Sequence, residues 1–157
     1  MFKSIQKEIL ELHQFFQGWF NGQVSDDEKI FNRLTRVLAK DFTLINPMGR
    51  LIRRDELISL IQSAYHTRKG MRIWIENVQI LHKIGEITLA AYEEWQIIGR
   101  DVTVRLTTAT FKYQPAAPNE LVWLHVHETW MHPPNQQPNE NTPEPTSHES
   151  SYPHDRP

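Results

Sequence analysis

After Gly70 the hydrophobic pattern of this chain changes period, and that change limits the folds open to it. Before it, apolar residues recur at helical spacing; after it, they alternate in twos. Ile5, Ile9, Leu12, Phe16 and Trp19 share one face of a first helix, predicted from about Ser4 to Phe20 and stopped by Asn21-Gly22. Ser25-Asp26-Asp27-Glu28 reads as a capping box opening a second helix with a stripe of Ile30, Phe31, Leu34, Val37 and Leu38. Phe42–Ile45 reads as a short strand, Asn46-Pro47-Met48-Gly49 as a turn and Leu51-Ile52 as a brief return. A third helix carries Leu57, Ile58, Ile61, Ala64 and Tyr65 on one face and is expected to end near Lys69-Gly70. Four long strands follow, near 71–82, 86–98, 102–113 and 121–131, with breaks at Gly85, Gly99-Arg100 and Gln114–Glu120. Helices first and an antiparallel meander last predict an α+β fold, with three N-terminal helices packed on one face of a curved sheet.

Composition removes several classes of function. The formal net charge is −2, so no basic surplus points to nucleic acid. There is no cysteine, hence no disulfide, thiol nucleophile or thiolate metal site. No apolar run approaches the roughly 18 residues of a membrane span. Charges interrupt the apolar residues of the N-terminal MFKSIQKEILEL, unlike a secretory signal, so a cytoplasmic protein without a membrane partner is expected. Residues 133–157 hold seven of the ten prolines and no Ile, Leu, Val, Phe, Met or Trp. Such a segment buries too little apolar surface to offset its ordering entropy, and is expected to be a disordered tail after a folded domain of residues 1–132.

Many second-face positions of the strands are also apolar: Ile87, Leu89, Trp95, Ile97 and Trp123. A sheet with one solvated face would be polar there. The expected partner is a second copy of the chain, with Trp95, Ile97, Trp123, His125 and His127 at a homodimer interface. The two histidines lie one pleat apart, but no third ligand is brought near them by spacing, and no metal or other cofactor is expected.

Glu94, Arg105 and Glu128 form the sharpest candidate catalytic group. A two-residue turn at Gly99-Arg100 sets Glu94 across from Arg105, and the next hairpin can set Thr107 opposite Glu128. Two carboxylates beside a guanidinium suit acid–base work, with one acid ionised and the other kept protonated by burial. A structural ion pair across the sheet explains the same residues. Tyr65, Trp74, Tyr92, Phe111 and Trp130 are candidate linings of a small apolar pocket for an organic ligand.

The order α-α-β-β-α-β-β-β-β and the closing Trp123-Leu-His125-Val-His127-Glu-Thr129-Trp resemble the nuclear-transport-factor-two-like superfamily, which includes SnoaL-like cyclases and ketosteroid isomerase. The last strand is most similar to the association domain of calcium/calmodulin-dependent kinase II. Phe42-Thr43-Leu44-Ile45 before Gly49, and Ala91-Tyr92 within a strand, fit as well. The resemblance covers about residues 5–131. It implies a cone-shaped fold, a dimer through the outer sheet face and a pocket between the inner face and the helices. It does not carry over that association domain's ligand chemistry, because Glu94 and Glu128 stand where the domain has pocket arginines. Two functions stay open: a non-catalytic ligand-binding or association module, and a small-molecule isomerase, cyclase or hydrolase with Glu94 or Glu128 as base.

Overall fold

The computed structural model describes residues 1–132, and the expected tail lies outside them. Three helices and six strands follow one another as α1 (Phe2–Asn21), α2 (Glu28–Thr35), β1 (Leu38–Ile45), β2 (Leu51–Arg53), α3 (Arg54–Ser63), β3 (Arg72–Ile84), β4 (Ile87–Ile98), β5 (Asp101–Tyr113) and β6 (Leu121–Met131). The strands form one sheet in the order β2-β1-β6-β5-β4-β3. All neighbours are antiparallel except β1 and β6, which run parallel. The architecture is the α+β arrangement the sequence predicts.

α1 lies across the inner face of the sheet and buries Ile5, Ile9, Leu12, Phe15 and Trp19. It ends where expected. Gly22 sits in the left-handed region (φ 67°), and its N–H donates to the Trp19 carbonyl at 3.1 Å. A side chain at Gly22 would also meet the His66 ring at 2.5 Å, so glycine is required twice over. The Asn21 amide donates to the Met71 carbonyl (2.8 Å), and the Trp19 indole donates to the Ile61 carbonyl (2.7 Å). These bonds fasten α1 to the start of β3 and to α3.

Three local expectations are corrected. The cap of α2 is Asp27, whose carboxylate accepts from the Lys29 N–H at 2.6 Å; the Ser25 box does not form. α2 stops at Thr35, so Val37 and Leu38 belong to the entry of β1, and Ile30 is 39% exposed. α3 stops at Ser63, and turns rather than helix carry the chain to Gly70.

The largest correction concerns β6. Thr110 pairs with His125 while Phe111 pairs with Trp123, so Leu124 is an extra residue, a β-bulge. Strict alternation would put Trp123 with His125 and His127 on the outer face. The bulge reverses the strand's facing there. Trp123 points inward, is 2% exposed and packs against Phe111 with ring centroids 4.4 Å apart. It is therefore not a dimer-interface residue.

Candidate functional site

Strand register arranges the inner face in rows across β4, β5 and β6. Thr88, Phe111 and Trp123 form one row, followed by Ala90, Ala109 and Val126, then Tyr92, Thr107 and Glu128, then Glu94, Arg105 and Trp130. The face thus grades from apolar to charged along the strands. Gly99-Arg100 is the two-residue turn, with Ile98 paired to Asp101 and Glu94 opposite Arg105. Helices α1 and α3 roof these rows and leave a cavity of about 370 Å³. Leu12, Phe16, Leu57, Ile61, Trp123 and Val126 line its apolar part; His13, Tyr92, Glu94, Gln96, Arg105 and Glu128 form its polar end. Asn46 and Arg68 also line it, the Arg68 guanidinium 4.6 Å from the centre of the Phe20 ring.

Every charge at the polar end has a partner. Arg105 Nη1 donates to Glu128 Oε2 at 3.2 Å, and its guanidinium lies 4.9 Å from the centre of the Trp130 ring. Glu94 does not bond to the arginine across from it. Its partner is His13 of α1, with Nε2 3.3 Å from Oε2, and Gln96 also donates to it. His13 Nδ1 lies 2.7 Å from the Ile9 carbonyl.

Opposed forces set the protonation of these groups. Burial would raise the Glu94 pKa, but His13 and, less strongly, Arg105 hold it at about 2. Burial would lower the His13 pKa, but the Glu94 charge and hydrogen bond and the Ile9 carbonyl leave it raised. Glu128 is raised, because burial and the Glu94 charge outweigh the pull of Arg105. Burial and the two carboxylates push the Tyr92 phenol well up, so it is a neutral hydroxyl in the wall.

Of the aromatics expected to line the pocket, Tyr92 does so. The others are placed elsewhere. Tyr65 packs edge-on against Trp19 and donates to the Val24 carbonyl at 2.8 Å. Trp74 lies on the outer face, stacked on Trp95 at 5.8 Å. Phe111 is core behind Trp123. Trp130 is 47% exposed beneath Arg105. Ile97, His125 and His127 lie with Trp95 on the outer face; His125 Nδ1 shares a 2.7 Å hydrogen bond with the Thr43 hydroxyl. Among the described residues no group of three or more His, Asp or Glu side chains is placed to hold a metal ion. No helix of these residues is long and apolar enough to cross a membrane.

Of the polar lining residues that the sequence reading missed, among them Gln96 and Arg68, His13 is the one that carries a signal. It follows Ile9 by one helical turn and sits between Leu12 and Phe16, so it is a polar residue inside the buried stripe of α1. That placement was the available signal.

The fold and cavity define a nuclear-transport-factor-two-like domain. An NTF-2-like protein of unknown function from Pseudomonas aeruginosa superposes with a TM-score of 0.75 at 26% identity, over 82% of this chain and 99% of that one. The CaMKII hub of S. rosetta superposes with a TM-score of 0.60 at 11% identity, over 82% and 95% of the two chains, a likeness of fold alone. Residues 5–132 match the family model described as sucrose-6-phosphate phosphohydrolase C-terminal, and the chain belongs to that family. Sucrose-phosphatase 2 of Nicotiana tabacum is 24% identical over 127 residues, which are 79% of this chain and 30% of that protein. The probable sucrose-phosphatase 2 of Arabidopsis thaliana is 22% identical over 125 residues, 78% of this chain and 29% of that protein. The chain thus spans about 30% of the length of the curated relatives it matches.

Proposed function

We propose that this domain is a small-ligand-binding module that associates with a second copy of itself. The observation that carries the reading is the cavity: apolar walls ending in a small group of placed polar side chains, the usual composition of an organic-ligand site. The matching stretch in the sucrose-phosphatases is under a third of each chain, which fits an accessory module of such a protein. Sucrose itself is a poor occupant. Each of its hydroxyls set against the apolar wall would lose water without gaining a partner, at about 1–3 kcal/mol apiece. Native mass spectrometry of protein purified without added ligand is expected to show a retained small molecule, absent from an Ala64→Trp variant that fills the cavity. Retention of the same molecule by the filled variant would place it elsewhere and refute the reading.

Self-association is supported by the outer face, where Ile87, Leu89, Trp95 and Ile97 stand in one line on β4. We expect a dimer in solution at micromolar concentration. Ile97→Glu would set a charge into the contact and raise the dissociation constant about a hundredfold or more, read by sedimentation equilibrium. A wild type that sediments as a monomer would rule the association out.

A second reading is favoured by one observation. The two pocket carboxylates are split, Glu94 held at about 2 and Glu128 raised. Such a split is how acid–base sites assign roles. On that reading the domain is an isomerase, cyclase or hydrolase, with Glu128 rather than Glu94 exchanging the proton.

A further inference from the structure

The charge pattern of the cavity wall narrows the chemistry of its occupant, an argument that rests on the ligand-binding reading above. His13 Nδ1 faces the Ile9 carbonyl and Nε2 faces the Glu94 carboxylate. A carbonyl and a carboxylate only accept, so both ring nitrogens carry hydrogen and the ring is an imidazolium. It offsets Glu94. Arg105 offsets Glu128. All four side chains are at most 17% exposed, so solvent does little to screen them. The polar end is therefore a closed set of two cations and two anions.

A closed set is unfavourable to an ionic guest. A ligand carboxylate would have to compete with Glu128 for Arg105 while lying beside Glu94. An ammonium group would meet His13 and Arg105 in the same way. At the polar end either ion would be desolvated with no free counter-charge to receive it. Arg68, the remaining charged residue of the lining, is exposed and lies over the Phe20 ring, where water screens its charge. A pure hydrocarbon avoids that cost but displaces water from the polar groups and returns no hydrogen bond. A hydroxyl both donates and accepts. It can donate to a carboxylate oxygen of Glu94 or Glu128 and accept from the Tyr92 hydroxyl or the Arg105 guanidinium. We propose that the cavity selects uncharged, largely apolar molecules bearing a hydroxyl group, with the hydroxyl seated among Tyr92, Glu94, Arg105 and Glu128.

Four probes with one ring system test this: 2-naphthol, 2-naphthoate, 2-naphthylmethylammonium and naphthalene. Each is titrated at pH 7 into the full-length protein with ligand-observed NMR. The expected order places 2-naphthol at least about tenfold tighter than the other three, with binding lost in Ala64→Trp. Either ion binding as tightly as 2-naphthol overturns the proposal while the cavity stands as a ligand site. So does naphthalene binding as tightly. Failure of all four, or binding that persists in the filled variant, overturns the ligand-binding reading and the proposal with it. Glu128→Gln leaves Arg105 without a counter-charge, and is expected to raise 2-naphthoate affinity about tenfold or more. Should that variant not fold, Glu94→Gln gives the same readout at pH 5.5, where it leaves His13 an unpaired imidazolium. No gain for the anion in the folded variant overturns the charge-balance argument.

Discussion

Arg33→Leu is expected to destabilise the domain by about 3 kcal/mol or more, although Arg33 touches no part of the cavity. The reason is Glu8. This glutamate lies on the buried side of α1 and is 0% exposed. Its Oε2 accepts from Arg33 Nη2 at 2.8 Å and from the Asn119 amide at 2.9 Å, and its Oε1 accepts from the Trp123 indole at 2.9 Å. Arg33 is the cation in that set, with a side chain 20% exposed. Removing it leaves an anion in the interior with neutral donors alone, a change that typically costs about 3–5 kcal/mol. Leucine at both positions removes the charge with its partner, so much of the loss is expected to return in Glu8→Leu/Arg33→Leu. What stays lost is the bond from Trp123, about 1–3 kcal/mol for its orphaned N–H. A double-mutant cycle by urea unfolding measures both numbers. Additive costs in the cycle, or a single-variant loss below about 1 kcal/mol, would show that the pair is not coupled in this way. The site depends on this network, because Trp123 forms part of the cavity wall and Glu8 holds its indole from behind.

Glu8 and His13 also mark the limit of what the sequence discloses. Local rules carry far here. The period change at Gly70, the stop at Gly22 and the two-residue turn at Gly99-Arg100 are each decided by a few adjacent residues, and the structure has all three. The turn alone fixes the register that sets Glu94 opposite Arg105. A polar residue within a helix stripe is a different kind of problem. Its partner is distant in sequence: Glu94 is 81 positions from His13, and Trp123 is 115 from Glu8. Nothing local says whether such a residue breaks the stripe or is satisfied across the core. The bulge at Leu124 is also non-local in cause. Leu121-Val122-Trp123-Leu124 is a continuous apolar run and does not state which members face inward. Pairing with β1 on one side and β5 on the other decides it, with Leu38 opposite Trp123 and Thr43 already opposite His125. One extra residue in β6 then exchanges Trp123 between an expected interface and the observed core. The same non-locality explains why Trp74 and Phe111, plausible as pocket residues by type, are placed outside the cavity.

The buried pair of His13 and Glu94 makes a second large effect, this one in pH. The Glu94 pKa is lowered from 4.5 to about 2 on folding. A lowered carboxylate stabilises the fold above its unfolded pKa, and that contribution is lost as pH falls toward the folded value. The difference corresponds to about 3 kcal/mol. His13 has the opposite sign. Its pKa is raised above 6.5, so its contribution is full below 6.5 and declines as pH rises through the folded value. Together they give a stability plateau between about pH 4.5 and 6.5 that falls away on both sides. Glu128 tilts the plateau rather than the acid limb: its raised pKa gives a contribution that is full below about 4.5 and is lost as pH rises through its folded value. Glu94→Gln is therefore expected to lower stability by about 3 kcal/mol or more at pH 5.5, where it leaves a buried imidazolium unpaired. In the variant His13 is best accommodated neutral, so stability there should rise with pH through the neutral range, where the wild type's falls. Urea unfolding at pH 5.5 and pH 8 in both proteins reads the reversal of slope. Parallel pH profiles for wild type and variant would mean that His13 is not held as a cation by Glu94, and the charge balance of the cavity would have to be assigned afresh.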